Sequence, residues 1–161
     1  MTRIFGVMGF PIDHSLSPVM HQAAFQALGL DAIYASFAVP PAKLRAVLRG
    51  LVAAGIDGLN VTVPLKEAIV PVLDGVSPEA RVLRAVNTIV VRRGRLVGYN
   101  TDVIGLSRAL RELDWRPPTR MSAVILGAGG AARAVAWILS RQTGTRLTIA
   151  NRHLARARQL A

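Results

Sequence analysis

Residues 59–68, LNVTVPLKEA, combine an apolar strand with one of the two lysines among the twenty basic residues of this chain, Lys66. A lysine can release and regain a proton near neutral pH, whereas the guanidinium pKa of arginine is too high for that work. Asn60 and Thr62 alternate with Leu59, Val61 and Val63, so the two polar side chains share one strand face. Strands of a parallel sheet normally read apolar on both faces. Polar residues on one face near the strand's carboxyl end, with Lys66 just beyond, point to a polar cleft there. A hydrogen bond to a neighbouring loop is the plainer account of an isolated threonine.

Two further stretches carry polar side chains beside a helix start. In HSLSP, residues 14–18, Ser17 before Pro18 reads as a helix N-cap, while Ser15 has no such duty. Two hydroxyls at a helix N-terminus would also suit a carboxylate. In GYNTD, Asp102 falls in a first helical turn, where the dipole favours an acid whatever the function.

GAGGAA, residues 127–132, follows the apolar run AVIL and precedes a helical pattern, the context in which a glycine fingerprint has meaning. Gly127 permits the tight turn, Gly129 lets the backbone approach a pyrophosphate, and Ala132 allows close packing of helix on strand. The free N–H groups around Ala128, Gly130 and Ala131 then face the phosphates. A glycine turn without a ligand is the bland alternative. The next strand, RLTIANR, ends on Asn151 and Arg152, with His153 and Arg156 beyond. A dinucleotide fold that prefers NAD places an acid here for the ribose hydroxyls. Guanidinium groups at that point suit a 2′-phosphate instead, so NADP(H) is the expected cofactor; Arg156 also reads as an ordinary solvated helix residue.

Three strands and two helices must position the first group. RIFGVMG (3–9), AIYASFAV (32–39) and GLNVTVP (58–64) are short and apolar. Between the first two, Met20, Ala24 and Leu28 recur at helical spacing before Gly29. Between the second pair, Pro41 opens a helix whose Leu44, Val47, Leu48 and Leu51 form one face. This βαβαβ order predicts a parallel sheet with right-handed crossovers. Ser77-Pro78 starts a short helix, and NTIVVRRGRLVGYN reads as a hairpin added antiparallel to the sheet. A helix from about Asp102 to Leu113 leads into the linker WRPPTR, whose two prolines stop it. The expected organisation is an α/β chain: an open βαβ domain over residues 1–102, a connecting helix and linker over 103–120, and the start of a Rossmann-type doubly wound domain over 121–161.

Composition narrows the function classes. The formal charge is +11, which suggests an anionic partner. The arginines are scattered rather than clustered, and four Phe, two Tyr and two Trp offer little for stacking bases, so nucleic acid is not the expected partner. With no cysteine and three dispersed histidines, no metal site is expected. No run approaches the ~20 apolar residues of a membrane span, and the apolar N-terminal run lacks a cleavage signal. A cytoplasmic protein is expected.

HSLSPVMH, LNVTVPLKEA, AVNTIVV, GYNTDVIG, LGAGGAARA and ANR, in this order, resemble the shikimate dehydrogenase family across essentially the whole chain. The resemblance implies NADP-dependent, reversible reduction of 3-dehydroshikimate to shikimate, a step towards aromatic amino acids. It implies that Ser15 and Ser17 bind the substrate carboxylate, that Asn60, Thr62 and Asn87 bind ring hydroxyls, and that Lys66 and Asp102 form the catalytic pair. Reduction of a ketone leaves an alkoxide that needs a positioned proton donor, and a lysine fits that requirement. Gln22 and Leu65 depart from residues common in the family at positions without a chemical role. The family continues beyond the residues matched here, with the rest of the nucleotide domain and a C-terminal helix. A chain limited to these residues is therefore expected to bind shikimate, to hold cofactor weakly and to turn over little. A shikimate-binding module without hydride transfer and a quinate/shikimate dehydrogenase are the alternatives. An exposed sheet edge would favour association, leaving a homodimer open.

Overall fold

The computed structural model describes residues 1–116 and 118–161; the first proline of the WRPPTR linker lies outside them. The chain divides into two compact units, Met1–Asn100 and Thr101–Ala161.

The first unit is a six-stranded mixed sheet in the order β2-β1-β3-β5-β6-β4. Its strands are β1 (Arg3–Gly9), β2 (Ala32–Ala38), β3 (Gly58–Val61), β4 (Gly75–Val76), β5 (Thr88–Arg92) and β6 (Arg95–Tyr99). β1 pairs in parallel with β2 on one side and β3 on the other, as the βαβαβ order requires. The β5–β6 hairpin joins antiparallel to β3, turning at Arg93 and Gly94, which both hold positive φ. Two consecutive left-handed residues match the twist of the flanking strands. The two-residue β4, parallel to β6, is too short to leave a sequence pattern.

Helix α1 (Ser17–Ala27) covers one face of this sheet, and α2 (Leu44–Ala53) belongs to the other. The α2 side holds the larger core, centred on Met8, Leu48, Val61, Leu65, Ile69 and Ile89. The Leu44, Val47, Leu48, Leu51 face packs there as its spacing predicts. Pro41 opens this region as a 3-10 turn, Pro41–Lys43, with the α-helix starting only at Leu44. Short helices α3 (Leu65–Ala68) and α4 (Pro78–Leu83) follow β3 and β4. Ser77 caps α4, its hydroxyl accepting from the Ala80 N–H at 3.2 Å.

The apolar stripe read from α1 is on the wrong side. Met20, Ala24 and Leu28 are exposed, and the inward face is Phe25 with two polar residues, His21 and Gln22. Phe25 packs against Val7, Ile12 and Tyr34, and His21 stacks on Tyr34 with ring centroids 4.3 Å apart. The Gln22 amide donates to Ala32 O at 3.2 Å and accepts from Tyr34 N at 3.3 Å. β2 is the outer strand, so this side chain bonds backbone that no strand pairs. Local periodicity favours methionine and leucine for the interior. The partners that make a glutamine the better inward residue lie ten and twelve positions away.

The second unit contains α5 (Asp102–Glu112), β7 (Ser122–Leu126), α6 (Gly130–Ser140), β8 (Arg146–Ala150) and α7 (Leu154–Leu160). β7 and β8 run parallel in register, from Ser122 opposite Arg146 to Leu126 opposite Ala150. α5 lies against α6, and Val103, Ile125, Ala134, Leu139 and Ala157 are buried. No helix among the described residues is long and apolar enough to cross a membrane.

Candidate active site

From β1 the chain crosses to β2 on one side and later returns to β3 on the other. The loops leaving β1 and β3 therefore diverge, which opens a crevice at the carboxyl ends of these strands. The first unit brings its sequence-predicted residues to this edge. Thr62 continues the ladder beyond β3, its N–H donating to Met8 O at 2.9 Å, and Phe10 N–H reaches back to Val63 O at 3.1 Å. Gly9 makes this approach possible, since a Cβ there would stand 2.6 Å from Thr62 Cγ2. The strand itself ends at Val61. Alternation fails at Val63, expected beside the buried Leu59 and Val61 but exposed, because it lies two residues past the end of the strand.

Lys66 follows as the second residue of α3, half-buried. Its carbonyl accepts from Val86 N–H at 2.8 Å, and Asn87 O accepts from Val61 N–H at 2.8 Å. The Lys66 turn and the Asn87 strand start are thus stitched to each other and to β3. Because β5 is antiparallel to β3, Asn87 enters β5 at the end where β3 stops. Asn87 is buried, as is Asn100, whose amide donates to Ala85 O at 2.9 Å. The sequence signal for Asn100 is an asparagine just past an apolar strand.

Asn60 faces the α1 side. Its Oδ1 accepts from the Tyr34 hydroxyl at 2.6 Å, and its Nδ2 donates to Asn87 O and Thr88 Oγ1, each at 3.4 Å. Beside it, a cavity of about 320 Å³ opens over the sheet, lined among others by Phe5, His21, Phe25, Tyr34 and Thr88. Burial pushes the Tyr34 phenol up from 10.0 to about 12, so this hydroxyl remains a donor across the physiological range.

The two serines exchange the parts expected of them. α1 begins at Ser17, with Leu16 in the cap position and no side-chain cap from Ser17. The Ser15 hydroxyl accepts from Ser17 N–H instead, at 3.3 Å. Pro18 therefore stands at the second helical position, one residue deeper than its sequence suggests, and the hydroxyl two residues before Ser17 N has the better reach. Both side chains remain half-buried at the helix N-terminus.

In the second unit, Asp102 is the first residue of α5 and half-buried. The glycine turn has the form its sequence predicts. Gly127 adopts φ +107, its N–H donating to Ala150 O at 2.8 Å. Gly129 is the N-cap of α6, with no side-chain cap. A Cβ built on Gly129 would meet nothing within 4 Å, so the space above this backbone is open. Open space before uncapped N–H groups, at the positive end of an eleven-residue helix, fits an anionic pyrophosphate. Ala128 is buried, while Gly130 is half-buried and Ala131 exposed. β8 ends beside this turn, and Asn151, Arg152 and His153 follow it. Asn151 Nδ2 donates to His153 O at 2.9 Å, bending the chain into α7, and Arg152 and Arg156 are exposed.

The family model described as shikimate dehydrogenase substrate binding domain matches residues 7–89. A shikimate dehydrogenase (NADP(+)) from a Geobacter species is 51% identical over 161 residues, covering 99% of this chain and 55% of the relative. The crystal structure of shikimate dehydrogenase from Aquifex aeolicus superposes with a TM-score of 0.90 at 41% identity, over 99% of this chain and 59% of that one. Shikimate 5-dehydrogenase from Thermus thermophilus, solved in complex with NADP(H) and shikimate, gives a TM-score of 0.85 at 42% identity, over 99% of this chain and 60% of that one. The chain thus spans a little over half the length of the relatives it matches.

Proposed function

The chain belongs to the shikimate dehydrogenase family, and we propose that it acts in the NADP-dependent, reversible reduction of 3-dehydroshikimate to shikimate. What supports this reading is that Asn60, Thr62, Lys66 and Asn87 are tied together at the carboxyl end of β3, with Ser15 and Ser17 in the loop and helix start that follow β1. Ser15 and Ser17, at the N-terminus of α1, take the substrate carboxylate. Asn60, Thr62 and Asn87 take ring hydroxyls. Lys66 donates a proton to the oxygen of the reduced ketone and withdraws it in the reverse direction. Asp102 is the second member of the catalytic pair that the family resemblance implies.

When bound, NADP(H) supplies or accepts the hydride. Gly127, Ala128, Gly129, Gly130 and Ala131 offer its pyrophosphate backbone N–H groups and unobstructed space. Asn151, Arg152, His153 and Arg156 take the adenosine end, where guanidinium groups select a 2′-phosphate. The same proposal sets the protein in the cytoplasm, with shikimate or 3-dehydroshikimate as its small-molecule partner.

Calorimetric titration of shikimate into the chain, beside an assay of NADP+ reduction with shikimate, tests the reading. Saturable shikimate binding is expected, with any turnover sharply lowered by Lys66→Ala and by Asp102→Asn. A wild-type chain that gives no heat with shikimate sinks it.

A further inference from the structure

An asparagine amide has two ends of opposite hydrogen-bonding character and a broad terminal torsion, so it recognises a hydroxyl reliably only when something fixes which end faces the ligand. We propose that Tyr34 and Thr88 are positioning residues that set the orientation of the Asn60 and Asn87 amides for substrate. This rests on the shikimate reading above, which gives both asparagines to ring hydroxyls.

The relay runs in one direction. Tyr34 donates to Asn60 Oδ1 at 2.6 Å. The Asn60 nitrogen donates to Asn87 O and to Thr88 Oγ1 at 3.4 Å. With its lone pair engaged by Asn60, the Thr88 hydroxyl directs its own proton to Asn87 Oδ1 at 3.0 Å. A flipped Asn60 would set its oxygen against the Asn87 carbonyl, acceptor against acceptor, and would leave the Thr88 hydroxyl to satisfy two acceptors with one hydrogen. Tyr34 can sustain this because it is 9% exposed and held flat by the His21 ring, whose plane lies within 13° of its own. Its burial also keeps the phenol a donor.

The consequence is chemical. Both Asn60 N–H groups are directed into the protein, so the end offered to a ligand is the second lone pair of Oδ1. Asn60 therefore selects a donor, a hydroxyl rather than a carbonyl, at the ring position it meets. Asn87 has its oxygen end fixed in turn by the Thr88 hydroxyl.

A double-mutant cycle read by shikimate calorimetry tests the assignment, using Tyr34→Phe, Thr88→Val, Asn60→Ala and the two pairings with Asn60→Ala. Circular dichroism establishes that each variant is folded. Tyr34→Phe keeps the ring and its stacking on His21 but removes the donor. It is expected to weaken shikimate binding roughly fivefold to tenfold, the worth of one net hydrogen bond. In the Asn60→Ala background the same change should add no further loss, a non-additivity that a purely structural role for Tyr34 would not produce. Thr88→Val should behave likewise and carries the test if Tyr34→Phe does not fold. Wild-type affinity in both single variants, or losses that add in full, overturns the proposal while the shikimate reading stands. Absence of binding by the wild-type chain overturns both and is recognised by the wild-type titration itself.

Discussion

Leu59, Asn60 and Val61 are consecutive residues of one strand, yet they serve opposite faces of the sheet. Leu59 and Val61 enter the apolar cluster on the α2 side and are almost fully enclosed. Asn60 turns to the α1 side, among Tyr34, Thr88 and the aromatic cavity. The first face is held by burial, which is non-directional and tolerates changes of shape at modest cost. The second is held by hydrogen bonds that work only in one arrangement. A strand period of two thus lets a four-residue segment contribute to stability and to recognition without either set of side chains compromising the other.

Separate faces should respond separately, and the sharpest contrast is at their common edge. Lys66→Ala should lower turnover by about 10²–10⁴-fold, the usual contribution of a positioned proton donor, while shikimate still binds; equal loss in a control such as Lys43→Ala would remove the distinction. On the apolar face, Leu48→Ala should cost about 3 kcal/mol in urea unfolding because the emptied site is enclosed on all sides. Folded Leu48→Ala should keep shikimate affinity within about twofold, since sites without shared partners act independently. A large change in affinity would mean that the faces are coupled.

The alkaline limb of stability isolates the polar face. The Tyr34 phenol rises from 10.0 to about 12 on folding, so the folded chain holds this proton more tightly than the unfolded one. Its contribution is complete below pH 10 and disappears as pH climbs from about 10 to about 12, a fall of up to about 3 kcal/mol that Tyr34→Phe should abolish. Unfolding curves of the two proteins across this interval give the comparison. The smallest effect expected is at the head of α1. Ser15→Ala should cost roughly 0.5–1 kcal/mol of stability as a lost N-terminal acceptor, with a severalfold loss of shikimate affinity; Ser17→Ala should spare stability and affect only affinity.

Much of this division was readable before any coordinates. The alternation in GLNV, the α2 stripe, the Ser77 cap and the Arg93-Gly94 hairpin depend on neighbours within a few residues, where propensity and pattern act directly. The glycine turn was readable for the same reason, since Gly127 and Gly129 meet a local backbone requirement. The inward face of α1 was not, because His21 and Gln22 are justified only by Tyr34 and Ala32 across the helix-to-strand turn. Nor was the link from Tyr34 to Asn60, which joins residues 26 apart through a single phenol. The exchange between Ser15 and Ser17 turned on a one-residue shift in the helix start, which a proline near the cap leaves undecided in sequence.

Gln22 also governs what this protein avoids. An outer strand left bare is a template on which a second chain can lay down its own backbone, first as a pair and then as a growing aggregate. By occupying Ala32 O and Tyr34 N, the glutamine removes two consecutive docking points from that template. Its amide must keep the same orientation to do so, and Tyr34, whose N–H it holds, is the residue whose hydroxyl reaches Asn60. Solubility at the outer edge of the sheet and order at the proposed substrate pocket therefore depend on the same stretch of β2, and a mutation that loosened it would expose the protein to clumping as well as to poor recognition.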